Sequence, residues 1–420
     1  MTFSRQVGFN ALGAVLNQGS GVVLLLLLTK CHGIAVTGEY GIALSTIGLV
    51  STLAASALGL SLTRSVARCY RSNPSDAGAI VGLLYTCGIC AACAFSVLLF
   101  LFADRIASVW LESPALSSTL RWFAPFAVGA VWNSLQLAVL SGIGRFDRVA
   151  AANAWLAVVR LSAVGCAIIL GELHHVVVAT VISQFIGSIL VSVRLARELG
   201  ALDIRPTLEG CWKHRDELWR FTLPNVISSA TLGPVNWVCQ MLLMQSPGGA
   251  AQVGVVAIAA QWQNVIRFLP QRTIEVALPE SSKLASATDS AAYMRHLVRL
   301  MKSAGMIALA VGATCALLAP SIATLYGPGV EPFSSALAVS FFVASVSIVA
   351  RIMTQDLLAR DRARYELLLT AGRAALLLLI WWVIRDRSAL SLAVVNLVSY
   401  GVLIIVLLPR WLRILGGQKE

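Results

Sequence analysis

Charge is scarce in this chain. Asp, Glu, Lys and Arg make up 12% of its 420 residues against 58% that are apolar, and the mean hydropathy is +0.80. No soluble globular class has that balance, so the chain reads as an all-α polytopic membrane protein. Acids are the scarcer sign, 20 against 32 basic residues. The net +12 does not point to nucleic acid, because the basic residues cluster in short loops between apolar runs. The sequence has no Walker motif and no soluble nucleotide domain, which argues against ATP coupling within the chain. It also lacks the large polar loop with paired carboxylates or a catalytic His that a membrane-embedded glycosyltransferase or polymerase would need, so the chain is expected not to be an enzyme. One arginine, Arg5, precedes a long apolar run with no small-residue cleavage site, which reads as a retained first span rather than a signal peptide. Cys87, Cys90 and Cys93 have CxxC-like spacing but sit inside an apolar run, where Cys behaves as a small hydrophobe. No metal site is expected.

Windows of about 20 apolar residues bounded by charge mark candidate membrane spans. There are twelve, at roughly 7–29, 38–62, 79–102, 121–143, 150–170, 175–195, 219–244, 252–276, 304–326, 333–357, 367–384 and 391–408. Polar residues interrupt several of them: Asn17 and Gln18 in the first, Asn133 and Gln136 in the fourth, Asn225, Asn236 and Gln240 in the seventh. Such groups are tolerated in a span where neighbouring helices or cavity water satisfy them. With the N-terminus cytoplasmic, 22 Lys and Arg fall on the cytoplasmic side and five on the other, namely Lys30, Arg105, Arg121, Arg385 and Arg387. The positive-inside rule then places both termini in the cytoplasm.

The chain repeats itself. Gly33-IAVT-Gly38 joins the first two spans, and Gly249-AAQV-Gly254 joins the seventh and eighth. Gly144-Arg145-Phe146-Asp147 follows the fourth span, and Ala363-Arg364-Tyr365-Glu366 follows the tenth, at nearly the same offset of half the chain. The shared order and near-equal offset predict two six-helix bundles, 1–200 and 201–420. An even number of spans in each half relates them by a pseudo-two-fold axis along the membrane normal, with substrate between them.

The most informative stretch is Gln252–Leu278, QVGVVAIAAQWQNVIRFLPQRTIEVAL. At about 100° per residue, Gln261, Asn264, Arg267, Gln271, Arg272 and Glu275 share an arc of about 140°, while Gln263 and Pro270 fall outside it. An arginine facing lipid at mid-membrane costs at least about 2.5–3.5 kcal/mol, so a polar stripe on a spanning helix predicts a lumen. The competing reading is structural: Arg272 pairs with Glu275 and Arg267 bonds to backbone. Arginine also offers permanently charged, bidentate donors suited to a diphosphate. Arg267 and Arg272, about 7.5 Å apart along the axis, make two stations for one anionic headgroup.

Several motifs bear a family likeness. Leu218-Trp219-Arg220-Phe221-Thr222-Leu223-Pro224 resembles the RFGLP opening of the seventh span in polysaccharide-export flippases. Gly33-x4-Gly38-x-Tyr40, the Gly144-Arg145-Phe146 loop and Leu278-Pro279-Glu280 are similar to that family's in the same order. These are the O-antigen and teichoic-type transporters of the multidrug/oligosaccharidyl-lipid/polysaccharide exporter superfamily. One departure is Val256, where Tyr40 would align in the second half.

The resemblance implies a V-shaped pair of bundles around a central cavity lined by spans one, two, seven and eight. The implied cargo is a polyprenyl-diphosphate-linked oligosaccharide, flipped across a bacterial inner membrane. A proton or sodium gradient drives it, with no cofactor. Polymerase and glycosyltransferases of the same pathway are the candidate partners. Asn17, Gln18, Asn225 and Asn236 then bond sugar hydroxyls or tie helices together. Arg64, ending span two, captures diphosphate or serves as a positive-inside anchor. Glu275 and Asp356 are the coupling candidates. The family places Arg160, Arg351 and Arg373 away from the lumen, and Arg351 faces Asp356 as a structural pair. The alternative is a cation-coupled multidrug antiporter of the same superfamily, which wants in-span carboxylates. This sequence instead places five arginines within spans.

Overall fold

The structure, a computed structural model, describes the backbone of residues 3–53, 58–70, 73–209, 231–286, 290–359, 363–384 and 386–415. Side chains of residues 3–15, 50, 52, 53, 269, 272, 275–286, 290–294, 355, 356, 358, 359, 363, 364, 410 and 413–415 lie outside the description. Every regular element among the described residues is helical. Among them, nine stretches are long and apolar enough to cross a membrane, against the twelve spans expected.

Particular residues account for how the spans map onto helices. The first two expected spans run together as α1 (Phe3–Leu53), interrupted at Gly33, whose φ of 86° and ψ of 169° lie outside the helical region. That combination is open essentially to glycine alone. Next come α2 (Gly59–Cys69) and α3 (Pro74–Arg105). Pro74 opens α3, where a missing N–H is harmless. The fourth span is divided at Pro125 into α4 (Leu116–Phe123) and α5 (Phe126–Gly142). The fifth and sixth spans are α6 (Phe146–Leu170) and α7 (Leu173–Ala201), the latter begun by a reciprocal capping box between Glu172 and His175. The first part of the seventh span, 219–230, lies outside the described residues, and α8 covers 231–244. The eighth is α9 (Gly249–Ser286), whose polar residues keep it out of the nine apolar candidates. The rest are α10 (Ser290–Leu300), α11 (Met306–Leu317), α12 (Ala319–Tyr326), α13 (Ser334–Ala359), α14 (Ala363–Val383) and α15 (Ala389–Leu415).

The chain divides into two compact units. Unit 1 holds Met1–His32 and Glu39–Gln245, and unit 2 holds Gly33–Gly38 and Ser246–Glu420. In unit 1, Leu62, Val66, Val131, Leu135 and Val139 have no exposed surface and join α2 to α5. Small polar groups tie helices together where lipid removes the hydrophobic drive: the Gln136 amide donates to the Ser188 carbonyl at 3.2 Å, and Ser188 Oγ donates to the Gly129 carbonyl at 3.0 Å. Arg145 and Arg148 reach Glu198 Oε1 at 2.8 and 3.0 Å, clamping the start of α6 to the end of α7. Helix α8 belongs with unit 1 by its contacts: Trp237 Nε1 donates to Thr46 Oγ1 at 2.9 Å, and Ser45 Oγ donates to Gln240 Oε1 at 2.8 Å.

In unit 2 the two repeated glycine motifs meet. A Cβ on Gly38 would stand 1.7 Å from the Ala250 carbonyl oxygen, and one on Gly254 would stand 2.4 Å from the Ile34 carbonyl oxygen. Each motif supplies the hydrogen-only surface on which the other's backbone lies. Helix α13 packs against α9, α11 and α15, and α14 packs against α15. Leu297, Ile348, Ile352, Leu357, Leu407 and Trp411 are in the core of that packing.

Candidate functional site

Helix α9 positions the polar stripe. Gln261, Arg267 and Gln271 are half-buried and Asn264 is exposed. The side chains of Arg272 and Glu275 lie outside the described residues. Arg267 Nη2 donates to Gln263 Oε1 at 2.6 Å, one turn earlier on the same helix. The Gln263 amide in turn donates to the Ser340 carbonyl of α13 at 3.0 Å. Gln263 sits outside the polar arc, so a helical wheel misses it, yet it is the residue that orients Arg267. The i, i+4 spacing of Gln263 and Arg267 was the available signal. Arg267 Nε is buried and has no hydrogen-bond partner.

Three further polar groups of unit 2 are Arg351 of α13, Arg373 of α14 and Tyr400 of α15. Arg373 is 7% exposed. Its guanidinium carbon lies 4.0 Å from the centre of the Tyr400 ring. Arg351 is exposed, although it falls within the candidate span Glu331–Thr354. No carboxylate among the described residues pairs with any of the three arginines. The side chain of Asp356, expected to face Arg351, lies outside the described residues.

Unit 1 has a half-buried arginine, Arg160, whose Nε is likewise buried without a hydrogen-bond partner. Arg160 Nη2 of α6 donates to Gln184 Oε1 of α7 at 3.1 Å. Tyr40 OH and Thr180 Oγ1 of the same cluster are 3.3 Å apart. Gln184 and Tyr400 are separated in sequence by the same offset as Gly33 and Gly249 of the glycine motifs. At corresponding places an amide accepts a hydrogen bond from Arg160, and an aromatic ring covers the face of Arg373.

The other expected residues are dispersed. Asn17 and Gln18 are half-buried on α1, and Asn17 Oδ1 is buried without a partner. Asn236 on α8 and Arg64 on α2 are exposed. Asn225 lies outside the described residues. Unit 1 also has an open, largely apolar pocket of about 610 Å³ whose lining includes Tyr85, Gln136, Ser192 and Thr207. None of the expected site residues lines it.

Helices alone among the described residues, nine stretches of them long and apolar enough to cross a membrane, define a multi-pass membrane protein. Its fold is similar to that of solved transporters. A multidrug resistance MATE family transporter of the MOP superfamily in an inward-facing conformation superposes with a TM-score of 0.74 at 15% identity, over 94% of this chain and 95% of that one. Lipid II flippase MurJ in an inward closed conformation gives 0.72 at 12% identity, over 96% and 89%. At these identities the likeness is one of fold. Residues 38–327 match the model of the polysaccharide biosynthesis protein family Polysacc_synt_3, and the chain belongs to that family. The EPS I polysaccharide export inner membrane protein EpsE of Ralstonia solanacearum is 28% identical over 158 residues, a match spanning 37% of this chain and 36% of EpsE.

Proposed function

We propose that this transporter is a flippase for polyprenyl-diphosphate-linked oligosaccharide, moving it from the cytoplasmic to the outer leaflet of a bacterial inner membrane. Its two sequence halves, 1–200 and 201–420, alternate access under a proton or sodium gradient, with both termini in the cytoplasm. Family membership and the name of EpsE support a polysaccharide cargo, and lipid II flippase MurJ is a flippase of similar fold. The observation that carries the reading is Arg267, a permanent cation on a polar face of α9 whose Nη2 is held by Gln263. A cation held on a polar helix face offers its remaining donors to an anionic cargo. Polar neighbours Gln261, Asn264 and Gln271 provide hydrogen bonds for the sugar, and Arg272 provides the second station. The coupling carboxylates are Glu275 and Asp356. Polymerase and glycosyltransferases of the pathway supply and consume the lipid-linked glycan.

The likeness to a MATE family transporter favours a second reading, cation-coupled drug antiport. The sign of the in-span charge weighs against it. The two readings separate in a deletion strain complemented at matched protein levels. Surface polysaccharide is expected to fall from wild type to Arg267→Lys to Arg267→Ala, because lysine keeps the charge but loses the planar fork. Losing a charge-assisted contact costs about 1.5–3 kcal/mol, roughly ten- to 150-fold in binding. Full complementation by Arg267→Ala would refute the cationic path, and drug resistance without polysaccharide would favour antiport.

A further inference from the structure

The open pocket of unit 1 has no part in the proposed transport path. Helices α3, α5 and α7 form three of its walls, and the stretch 204–208 forms the fourth. All three helices lie in candidate membrane spans. Helix α5 packs against both α3 and α7, so the pocket lies over α5 between its two neighbours. Among the described residues, none from α1, α2, α8 or α9 lines it. The fourth wall is held on α3 by backbone contact. Thr207 N–H donates to the Gly78 carbonyl at 3.2 Å. A Cβ on Gly82 would stand 2.2 Å from the Thr207 carbonyl oxygen, and one on Gly78 would stand 2.2 Å from that of Arg205. Glycine is what lets this stretch lie so close.

Two buried polar atoms of the lining lack a partner. Gln136 is 1% exposed. Its amide nitrogen donates to the Ser188 carbonyl at 3.2 Å and to Ser192 Oγ. A carbonyl only accepts, so this contact fixes which way the amide faces. Gln136 Oε1, on the other side of the amide, is buried and unpartnered. Ser192 does not serve it, because the Ser192 proton goes to the Ser188 carbonyl at 2.9 Å. Tyr85 OH is the second buried, unpartnered atom. Buried polar groups are ordinarily bonded, and each of these two bears the full cost of lost water. They are complementary: Oε1 requires a donor, and a phenol hydroxyl offers one. Both residues line the same space of about 610 Å³, a volume within the range of ligand sites. The rest of the lining is largely apolar. Its one charged residue among those described is Arg205, which is exposed and lies 3.5 Å from Asp203. No buried charge there calls for an ion.

We propose that this pocket binds a neutral lipid bearing a hydroxyl group. The ligand O–H donates to Gln136 Oε1, its oxygen accepts from Tyr85 OH, and its hydrocarbon lies along the apolar walls. Occupancy braces the stretch 204–208 that follows α7. Long-chain alcohols and monoacylglycerols share this chemistry. The site lies wholly in unit 1 and does not rest on the flippase reading.

The test uses the full chain in phosphatidylcholine nanodiscs and a long-chain alcohol carrying a diazirine. After irradiation, mass spectrometry should find the label on peptides that contain Tyr85, Trp132 or Ser192. The unlabelled alcohol should compete, and the alkane of equal length should not, because it meets neither polar atom. Tyr85→Phe and Gln136→Met should each raise the half-competing concentration of alcohol roughly two- to tenfold, the loss of one hydrogen bond. Tyr365→Phe, at an exposed position of α14, should match wild type. Tyr85→Phe has a second readout: without alcohol, its unfolding midpoint should hold or rise, because the hydroxyl removed has no partner. A fall would mean that an ordered water already satisfies the hydroxyl, and would overturn its place in the site. Competition by monoacylglycerol as well as alcohol supports the site and assigns it to neutral lipids in general, whereas competition by alcohol alone supports it for single-chain alcohols. Equal competition by the alkane, labelling only elsewhere, or unchanged competition in both variants overturns the proposal. If Gln136→Met does not fold, Tyr85→Phe carries the test.

Discussion

Gly38→Ala is the sharpest test of how the two glycine motifs meet. The added methyl would stand 1.7 Å from the Ala250 carbonyl oxygen, 2.7 Å from its carbon and 2.9 Å from the Gly254 nitrogen. A carbon and a carbonyl oxygen rest at about 3.3 Å or more, so the two segments would have to part by roughly 1.6 Å. All three obstacles are backbone, and no side chain can swing aside. Overpacking of this kind costs about 1–3 kcal/mol, and a backbone-to-backbone clash belongs at the upper end. At roughly 2–4 °C per kcal/mol for a chain of more than about 150 residues, the midpoint of detergent-solubilised protein should fall by about 6–12 °C. The assay is fluorescence-detected size exclusion after heating, with Gly165→Ala as the paired control. Gly165 lies inside α6 with nothing within 4 Å of its added methyl. Alanine is favoured over glycine there by about 1 kcal/mol, so that variant should hold or gain stability. A wild-type midpoint for Gly38→Ala would refute the close approach of the motifs.

Two more predictions follow from the charge pattern. Thiols introduced at Gly248, Gly329 and Asp386 should react with an impermeant maleimide added outside the cell, whereas one at Arg205 should stay protected until the membrane is opened; outside labelling at Arg205 would overturn the orientation. Glu275→Gln should change the amount of exported polysaccharide at unchanged protein level if Glu275 holds Arg272 ready for the headgroup, and wild-type export by that variant would make the pairing incidental.

Hydropathy made the membrane character legible, because lipid demands long apolar runs whatever the packing. Helices α3, α6, α7, α13, α14 and α15 fall close to the expected spans for that reason. Where span and helix differ, local backbone chemistry decided. Gly33 interrupts α1 without ending it, and Pro125 divides one expected span into two helices. The glycine motifs were visible as a repeat of weak matches, but a repeat does not say that its copies touch. That became evident when the carbonyls of Ala250 and Ile34 were found lying on Gly38 and Gly254.

The site divides in the same way. Sequence alone determined that Arg267 lies on a polar face of a helix, because the 3.6-residue period is a local property of one chain segment. It also determined that cations outnumber acids within the spans. Which arginines share a neighbourhood is a matter of how α9, α13, α14 and α15 pack, and that depends on side-chain shape across segments far apart in the chain. Tertiary structure alone therefore set the Arg373 guanidinium over the Tyr400 ring. It assigned Gln263 its double contact, and it brought Arg160 of α6 to Gln184 of α7.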